Sequence, residues 1–367
     1  MKYRMRGWVE AINDERKGLQ EISVRVEGGG TLRHALVYTD LVGAVKVGDV
    51  VALNTVAVEL GLGTGGVDFV MAGNLREQDV PGHLLKLRYT PLQIPVLAVE
   101  APESPHHAAI AKFDNLGGLP VVCMELHSQL PAVCVGARFA FLRRFGLLPK
   151  IAYIMTDGAA LPLAFSRLVA QLREQDLMQA TITAGQAFGG DYEAINVYSA
   201  LAAAKEVVDA DIVLVGQGPG NAGTDTPLGF SGLDAGTSLN AVSALSGTAI
   251  FAPRISFADG RERHRGLSHH SQTILTRIAL RPALVPLPRL PDAESSVLLR
   301  DYDGAGIFGS HCVASVDADA ALSELLRLNL GVTTMGRSIE QERAFFLASA
   351  AAGILAAQTA IQKASRN

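Results

Sequence analysis

Residues 211–226 read DIVLVGQGPGNAGTDT, and this stretch decides the fold. Asp211 heads a run of apolar residues, and a loop rich in glycine, glutamine, asparagine and threonine follows at once. An apolar run too short for a helix, ending on turn residues, is the pattern of a strand buried on both faces. The pattern recurs on either side, at residues 119–125, 151–155, 180–184 and 248–251. Helical stretches separate or follow these runs, around 131–145, 162–173, 191–208, 235–245 and 268–279. Strands alternating with helices predict an open, mainly parallel, doubly wound α/β sheet. Beyond it, residues 282–291 read as extended and 320–330 as helical. Residues 338–362 read as an Ala-rich helix suited to close packing on the domain or on a second copy.

The first part of the chain has a different rhythm. β-type runs at 6–12, 22–26, 32–38, 50–54 and 67–71 lie between turn signals at Asn13-Asp14, residues 28–30, Gly48-Asp49 and residues 61–66. Five short strands at this spacing predict a small barrel of the OB or SH3-like kind over residues 1–98. It precedes the α/β domain, expected over 117–367. Pro91, Pro95, Pro102 and Pro105 mark a linker, and His106-His107 at its end read as solvated loop. OB folds often bind nucleic acid, but residues 1–98 contain 11 Lys+Arg and 11 Asp+Glu by direct count. The electrostatic footprint of a nucleic-acid partner is missing.

Of the 367 residues, 49% are hydrophobic and 19% charged, which sets disorder aside. A formal net charge of -4 is too mild to point to nucleic acid or an anionic membrane. Cys123, Cys134 and Cys312 fit neither a disulfide framework nor a CxxC metal site, so a reducing cytoplasm is expected. The opening MKYRMRGWVEAINDERKG carries charges throughout, unlike a signal peptide. The apolar run at 344–357 falls short of the roughly 18 residues a membrane span needs. These features predict a cytoplasmic protein with no membrane or nucleic-acid partner.

Ligands of open parallel sheets bind outside the carboxyl ends of the strands, so the strand-to-helix loops collect a candidate site. The first supplies His127 and Ser128, the second Thr156, Asp157 and Gly158, the third residues 185–191. The fourth spans 216–226, and the fifth runs from Arg254 through Arg261, Arg263, His264 and Arg265 to His269 and His270. Asp157, Asp225 and His127 are the acid/base or metal-binding candidates. Gln217, Gly218, Gly220, Asn221 and Thr226 are expected to line the pocket. Arg263, His264, Arg265 and His269 are expected to hold an anion, because residues 254–281 contain six arginines and two acids.

Familiar motifs fail in these loops. Gly218, Gly220 and Gly223 satisfy GxGxxG, but Pro227, Gly229 and Gly232 forbid the early helix that a dinucleotide needs. Thr224 stands where a P-loop would have its lysine. Asp191 fits the N-cap of a helix starting there. The alternative, an anion cradle on the amides after Gly189 and Gly190, is weakened by Asp191 and Glu193 at that positive pole. Ser268 fits a second N-cap, which puts His269 and His270 in a first turn. Adjacent helix positions point about 100° apart, so those two cannot readily share a metal. One of them can join His264, His127, Asp157 or Asp225. No G-x-S-x-G elbow supports a serine triad, and no cofactor or particular metal is specified.

The segments GQGPGNAGTDTPLGFSG and RHRGLSHHSQT resemble those of a bacterial family of uncharacterised proteins, domain of unknown function 3866. Overall length and the order of a small β domain before an α/β domain agree, and the resemblance covers nearly the whole chain. It implies a bacterial, cytoplasmic protein and transfers no activity or catalytic residues. The residues themselves point to an α/β protein, possible as an enzyme, that binds a small anionic or phosphorylated metabolite at the carboxyl edge. The alternative is a non-enzymatic scaffold or regulator, acting as a homo-oligomer or with a protein partner.

Overall fold

The computed structural model describes residues 4–29, 31–61, 66–73 and 81–364. The chain divides into two compact units, Met1–Leu97 and Ala98–Asn367. In the first, β1 (Arg4–Arg16), β2 (Leu19–Val26), β3 (Leu32–Tyr38), β4 (Val50–Asn54) and β5 (Asp68–Ala72) close into a barrel in the order β1-β2-β3-β5-β4. Val9, Ile22, Val24, Val37, Val51 and Leu53 belong to its core. The turn expected at Asn13-Asp14 is absent. The register slips there between Ile12 and Asp14, and β1 continues to Arg16. A bulge absorbs the polar pair without ending the strand. The chain turns instead at Lys17-Gly18, where Gly18 takes φ 78°. The expected turns at 28–30 and 61–66 lie partly outside the described residues. A short antiparallel hairpin, β6 (Leu84–Lys86) and β7 (Ile94–Val96), follows.

The second unit is built on β8 (Pro120–Met124), β9 (Ile151–Thr156), β10 (Ala180–Ala184), β11 (Tyr192–Ala194), β12 (Ile212–Gln217) and β13 (Thr248–Ala252). A small hairpin, β14 (Ile255–Ser256) and β15 (Gly266–Leu267), precedes β16 (Leu284–Pro288) and β17 (Cys312–Val316). Eight of these strands form one sheet in the order β11-β10-β9-β12-β8-β13-β16-β17, and all its pairings are parallel. Every residue of β8, β9, β10 and β12 is buried, as an apolar run requires when both faces are covered. The chain lays β8 to β11 in one direction across the sheet and β13, β16 and β17 in the other. The reversal falls beside β8 and β12, the place where ligand crevices open in such sheets.

The extended stretch at 282–291 proves to be strand β16. Pro286 and Pro288 lack the amide hydrogen that a ladder needs, and its pairing with β13 is confined to Ile250 and Leu284. The helix expected from Asp191 begins only at Val197, capped by Asn196, whose side chain accepts from Tyr198 N and Ser199 N. Asp191 is instead an anchor across the sheet. Its Oδ2 accepts from the amide and hydroxyl of Thr181, each at 2.9 Å, and lies 3.0 Å from Arg173. With its carboxylate drawn to β10, the backbone after it is free to pair as β11.

The Ala-rich helix spans Arg343–Ala364 and packs along the helix Leu130–Phe145. Glycines permit the close approach: a Cβ on Gly136 would strike the carbonyl oxygen of Ala350, and one on Gly353 that of Val133. The window Arg343–Ala360 is long and apolar enough to cross a membrane, yet 78% of it is buried, which makes it a core helix of this unit. Gly353→Ala is expected to destabilise the protein by about 1–3 kcal/mol through overpacking. Gly304→Ala, where an added Cβ meets nothing within 4 Å, is expected to be neutral or slightly stabilising. Urea unfolding midpoints compare the two.

Candidate functional site

Strand β8 leads directly into Glu125, which is fully buried, and its carboxylate organises the edge. His270 Nδ1 donates to Oε1 at 3.0 Å, Ser271 Oγ donates to Oε2 at 3.1 Å, and Arg254 stands 3.8 Å from Oε1. Gln217, at the end of β12, donates from Nε2 to the Glu125 carbonyl oxygen at 3.3 Å. The one available sequence signal was a lone acid closing an all-apolar strand. A carboxylate buried in that way requires partners.

Those partners bring three histidines together. His264 is buried in a single 3-10 turn, with Nδ1 2.8 Å from Ser268 Oγ. Ser268 caps the short helix His269–Thr273, accepting from His270 N, as its position in the sequence predicts. The ring centroids are 4.8 Å apart for His264 and His269, 4.9 Å for His264 and His270, and 4.3 Å for His269 and His270. One ring nitrogen of each lies within 4.8 Å of the others. This overturns the expectation that adjacent helical histidines diverge too far to share a ligand. The 100° rule describes Cβ directions inside a helix, whereas these two begin one, and His264 closes the gap between their rings. Phe230 lies flat on His270, with centroids 3.8 Å apart and planes 2° from parallel. His269 Nε2 is buried without a hydrogen-bond partner. Burial, then the charges of Arg254 and Arg261, lower the His264 pKa to about 3, so its imidazole is neutral. Burial also lowers that of His269.

Half of the six arginines that looked like a basic lobe are paired, Arg254 and Arg261 with Asp259 of the same segment and Arg263 with an acid from the fourth loop. Asp259 receives Arg261 at 2.8 Å, Arg254 at 3.2 Å and Arg337 at 3.4 Å. Hydrogen bonds from Arg261 hold its carboxyl well below the usual carboxylate range. Arg263 pairs with Asp225 at 2.6 Å, and Arg265 is exposed. Asp225 thereby ties the fourth loop to the fifth, with its own backbone at φ 63°.

Beside β8 and β12 lies a cavity of about 550 Å³, lined by His127, Ser128, Arg167, Leu168, Pro219, Gly220, Asn221 and residues 330–335, among others. His127 has both ring nitrogens engaged. Nδ1 faces the Gln217 carbonyl oxygen at 3.3 Å, and Nε2 lies 2.7 Å from Ser166 Oγ. Ser166 caps the helix Arg167–Glu174. With Nδ1–H donating to the carbonyl, the Ser166 hydroxyl donates to Nε2. Burial lowers the His127 pKa to about 4, against a weaker opposing pull from the Gln217 carbonyl. Gln217 also donates to Asn221 Oδ1 at 3.1 Å, and Asn221 accepts from Ser231 Oγ and Gly232 N, stapling the long fourth loop. Asp157 is not in the cavity lining. It is exposed, and its Oδ2 accepts from Gln186 N at 2.8 Å. Gly218 packs against the Ala160 carbonyl, and Thr226 bonds Thr224 at 3.0 Å. Of the expected pocket residues, His127, Gly220 and Asn221 line the cavity, Gln217 braces it, and His264 and His269 belong to the histidine cluster.

Residues 34–353 match the family described as protein of unknown function (DUF3866). The chain belongs to that family. No curated protein matches it. The matched region runs from within β3 to within the helix Arg343–Ala364 and takes in the histidine cluster, Glu125 and the cavity. In this DUF3866 protein Ser166, Phe230 and Glu125 are the residues sequence reasoning missed. Each reads locally as a cap, a loop aromatic or a strand end, and acquires its partner from a distant segment.

Two outcomes follow for the DUF3866 protein. Glu125→Ala is expected to cost about 3–5 kcal/mol, because it leaves buried His270 Nδ1 and Ser271 Oγ without their acceptor and removes one of the two carboxylates beside buried Arg254; urea unfolding reads the loss. His127 takes up a proton near pH 6.5 when unfolded but only near pH 4 when folded. Stability is therefore expected to decline as pH falls through that interval. In His127→Gln the pH slope of the unfolding free energy there is smaller by up to one proton.

Proposed function

We propose that this protein binds a small metabolite at the carboxyl edge of its parallel sheet, in the cavity beside β8 and β12. The observation that carries the reading is the position of that cavity at the reversal of strand order, walled by the loops that leave those two strands. Its walls mix apolar side chains with a few polar groups, the usual constitution of a small-molecule site. An anionic or phosphorylated group on the ligand would meet Arg167 and the hydroxyls of Ser128 and Thr333. Ser128 also donates to Thr334 at 3.0 Å, joining residues 330–335 to the edge. Binding, more than proton transfer, is the role that suits His127, since an incoming proton must first displace the hydrogen bond from Ser166. The scaffold alternative would work through the barrel and the Ala-rich helix, and that helix is mostly buried in its own unit. Free thiols at Cys123, Cys134 and Cys312 suit a cytoplasmic setting.

Thermal unfolding against a panel of nucleotides and phosphorylated metabolites tests the reading. A ligand at about 100 times its Kd adds roughly 2.7 kcal/mol, and the resulting rise in Tm is expected to vanish in Thr333→Trp, which fills the cavity. A rise retained in that variant, or no rise across the panel, contradicts the proposal.

A further inference from the structure

We propose that His264, His269 and His270 together bind one divalent transition-metal ion of the zinc class, through one ring nitrogen each. The three nitrogens already converge within 4.8 Å. Zn–N bonds of about 2.0–2.1 Å at tetrahedral angles set the nitrogens about 3.3 Å apart, so the rings need close by only about 1.5 Å at most. The hydrogen bonds of the cluster occupy one nitrogen on each of two rings. His270 uses Nδ1 toward Glu125, and His264 uses Nδ1 toward Ser268, which leaves their Nε2 atoms for an ion. A carboxylate behind a ligating imidazole fixes its tautomer and raises its basicity.

A second observation points the same way. His269 Nε2 is buried with no partner, an arrangement that costs free energy unless something fills it. An all-imidazole set suits zinc and its neighbours, while magnesium and calcium require oxygen ligands. Three protein ligands leave a position for water or another small ligand, the pattern of reactive zinc sites more than of structural ones. Immediately after the histidines the helix widens into a π turn over Ile274–Ile278, a distortion frequent at functional sites. The inference stands apart from the cavity reading, since none of the three histidines lines the cavity.

Co²⁺ titration of the full-length protein, after chelation and desalting, is the test. One equivalent per chain is expected to give the visible d–d bands of a nitrogen-ligated site, displaced by one equivalent of Zn²⁺. His269→Gln, at the least buried of the three, is expected to abolish the bands with an unchanged far-UV circular dichroism spectrum. His106→Gln/His107→Gln, at the other adjacent pair, is expected to retain them. Glu125→Gln is expected to weaken Co²⁺ binding about 10–100-fold. Absence of bands from the wild-type protein at one equivalent overturns the proposal, as does undiminished binding by folded His269→Gln. Equal loss in the His106/His107 variant also overturns it.

Discussion

A single buried carboxylate holds the carboxyl edge of this sheet together. Glu125 sits at the end of central strand β8 with no exposure. A carboxyl group in such a place is tolerable only with hydrogen-bond partners around it. The structure supplies them from one segment, 254–271, through Arg254, His270 and Ser271. Satisfying the carboxylate therefore fixes where the fifth loop runs. It also sets the tautomer of His270 and draws His269 and His264 into one cluster. Its backbone carbonyl does a related task by receiving Gln217, which braces the fourth loop.

A similar economy governs charge on the fifth loop. Six arginines against two acids suggest a strongly positive lobe when only residues 254–281 are counted. In the fold, Asp259, one of those two acids, receives Arg254 and Arg261, while Glu125 stands beside Arg254 and Asp225 takes Arg263. Glu342, just ahead of the Ala-rich helix, accepts from Ser256 and pairs with Arg337 at 2.5 Å. Local sequence charge overstates the field where carboxylates come from distant segments, as Glu125 does for Arg254 and Asp225 for Arg263. These pairs tie the loop to the fourth loop and to residues 337–342, around the three imidazoles.

How much was legible followed the range of the physics. The apolar runs at 119–125, 151–155, 180–184 and 211–215 all lie on strands because burial on both faces leaves a purely local signature. The barrel strands were legible from short β-type runs bounded by turn residues, whereas the turn at Asn13-Asp14 was not, since a bulge is settled by pairing with β2. Asp191 misled because a helix cap and a cross-strand anchor use the same carboxylate, and only the position of Thr181 separates them. Strand β16 looked merely extended because its prolines mask a strand whose ladder lies mainly toward β17. His127, Gly220 and Asn221 line one cavity because every strand-to-helix loop of a parallel sheet emerges on one edge. Asp157 and Asp225 share that edge but turn to other partners.

By itself, then, the sequence determined the α/β class, the barrel ahead of it and the edge on which polar loops collect. Those follow from periodicity and from the direction of parallel strands, which are properties of segments a few residues long. Tertiary structure alone decided that His264, His269 and His270 meet, that Ser166 holds His127, and that Arg263 finds Asp225. Each depends on side chains far apart in the chain, brought together by the order of strands in the sheet. That order is set by packing the whole unit, and no short segment encodes it.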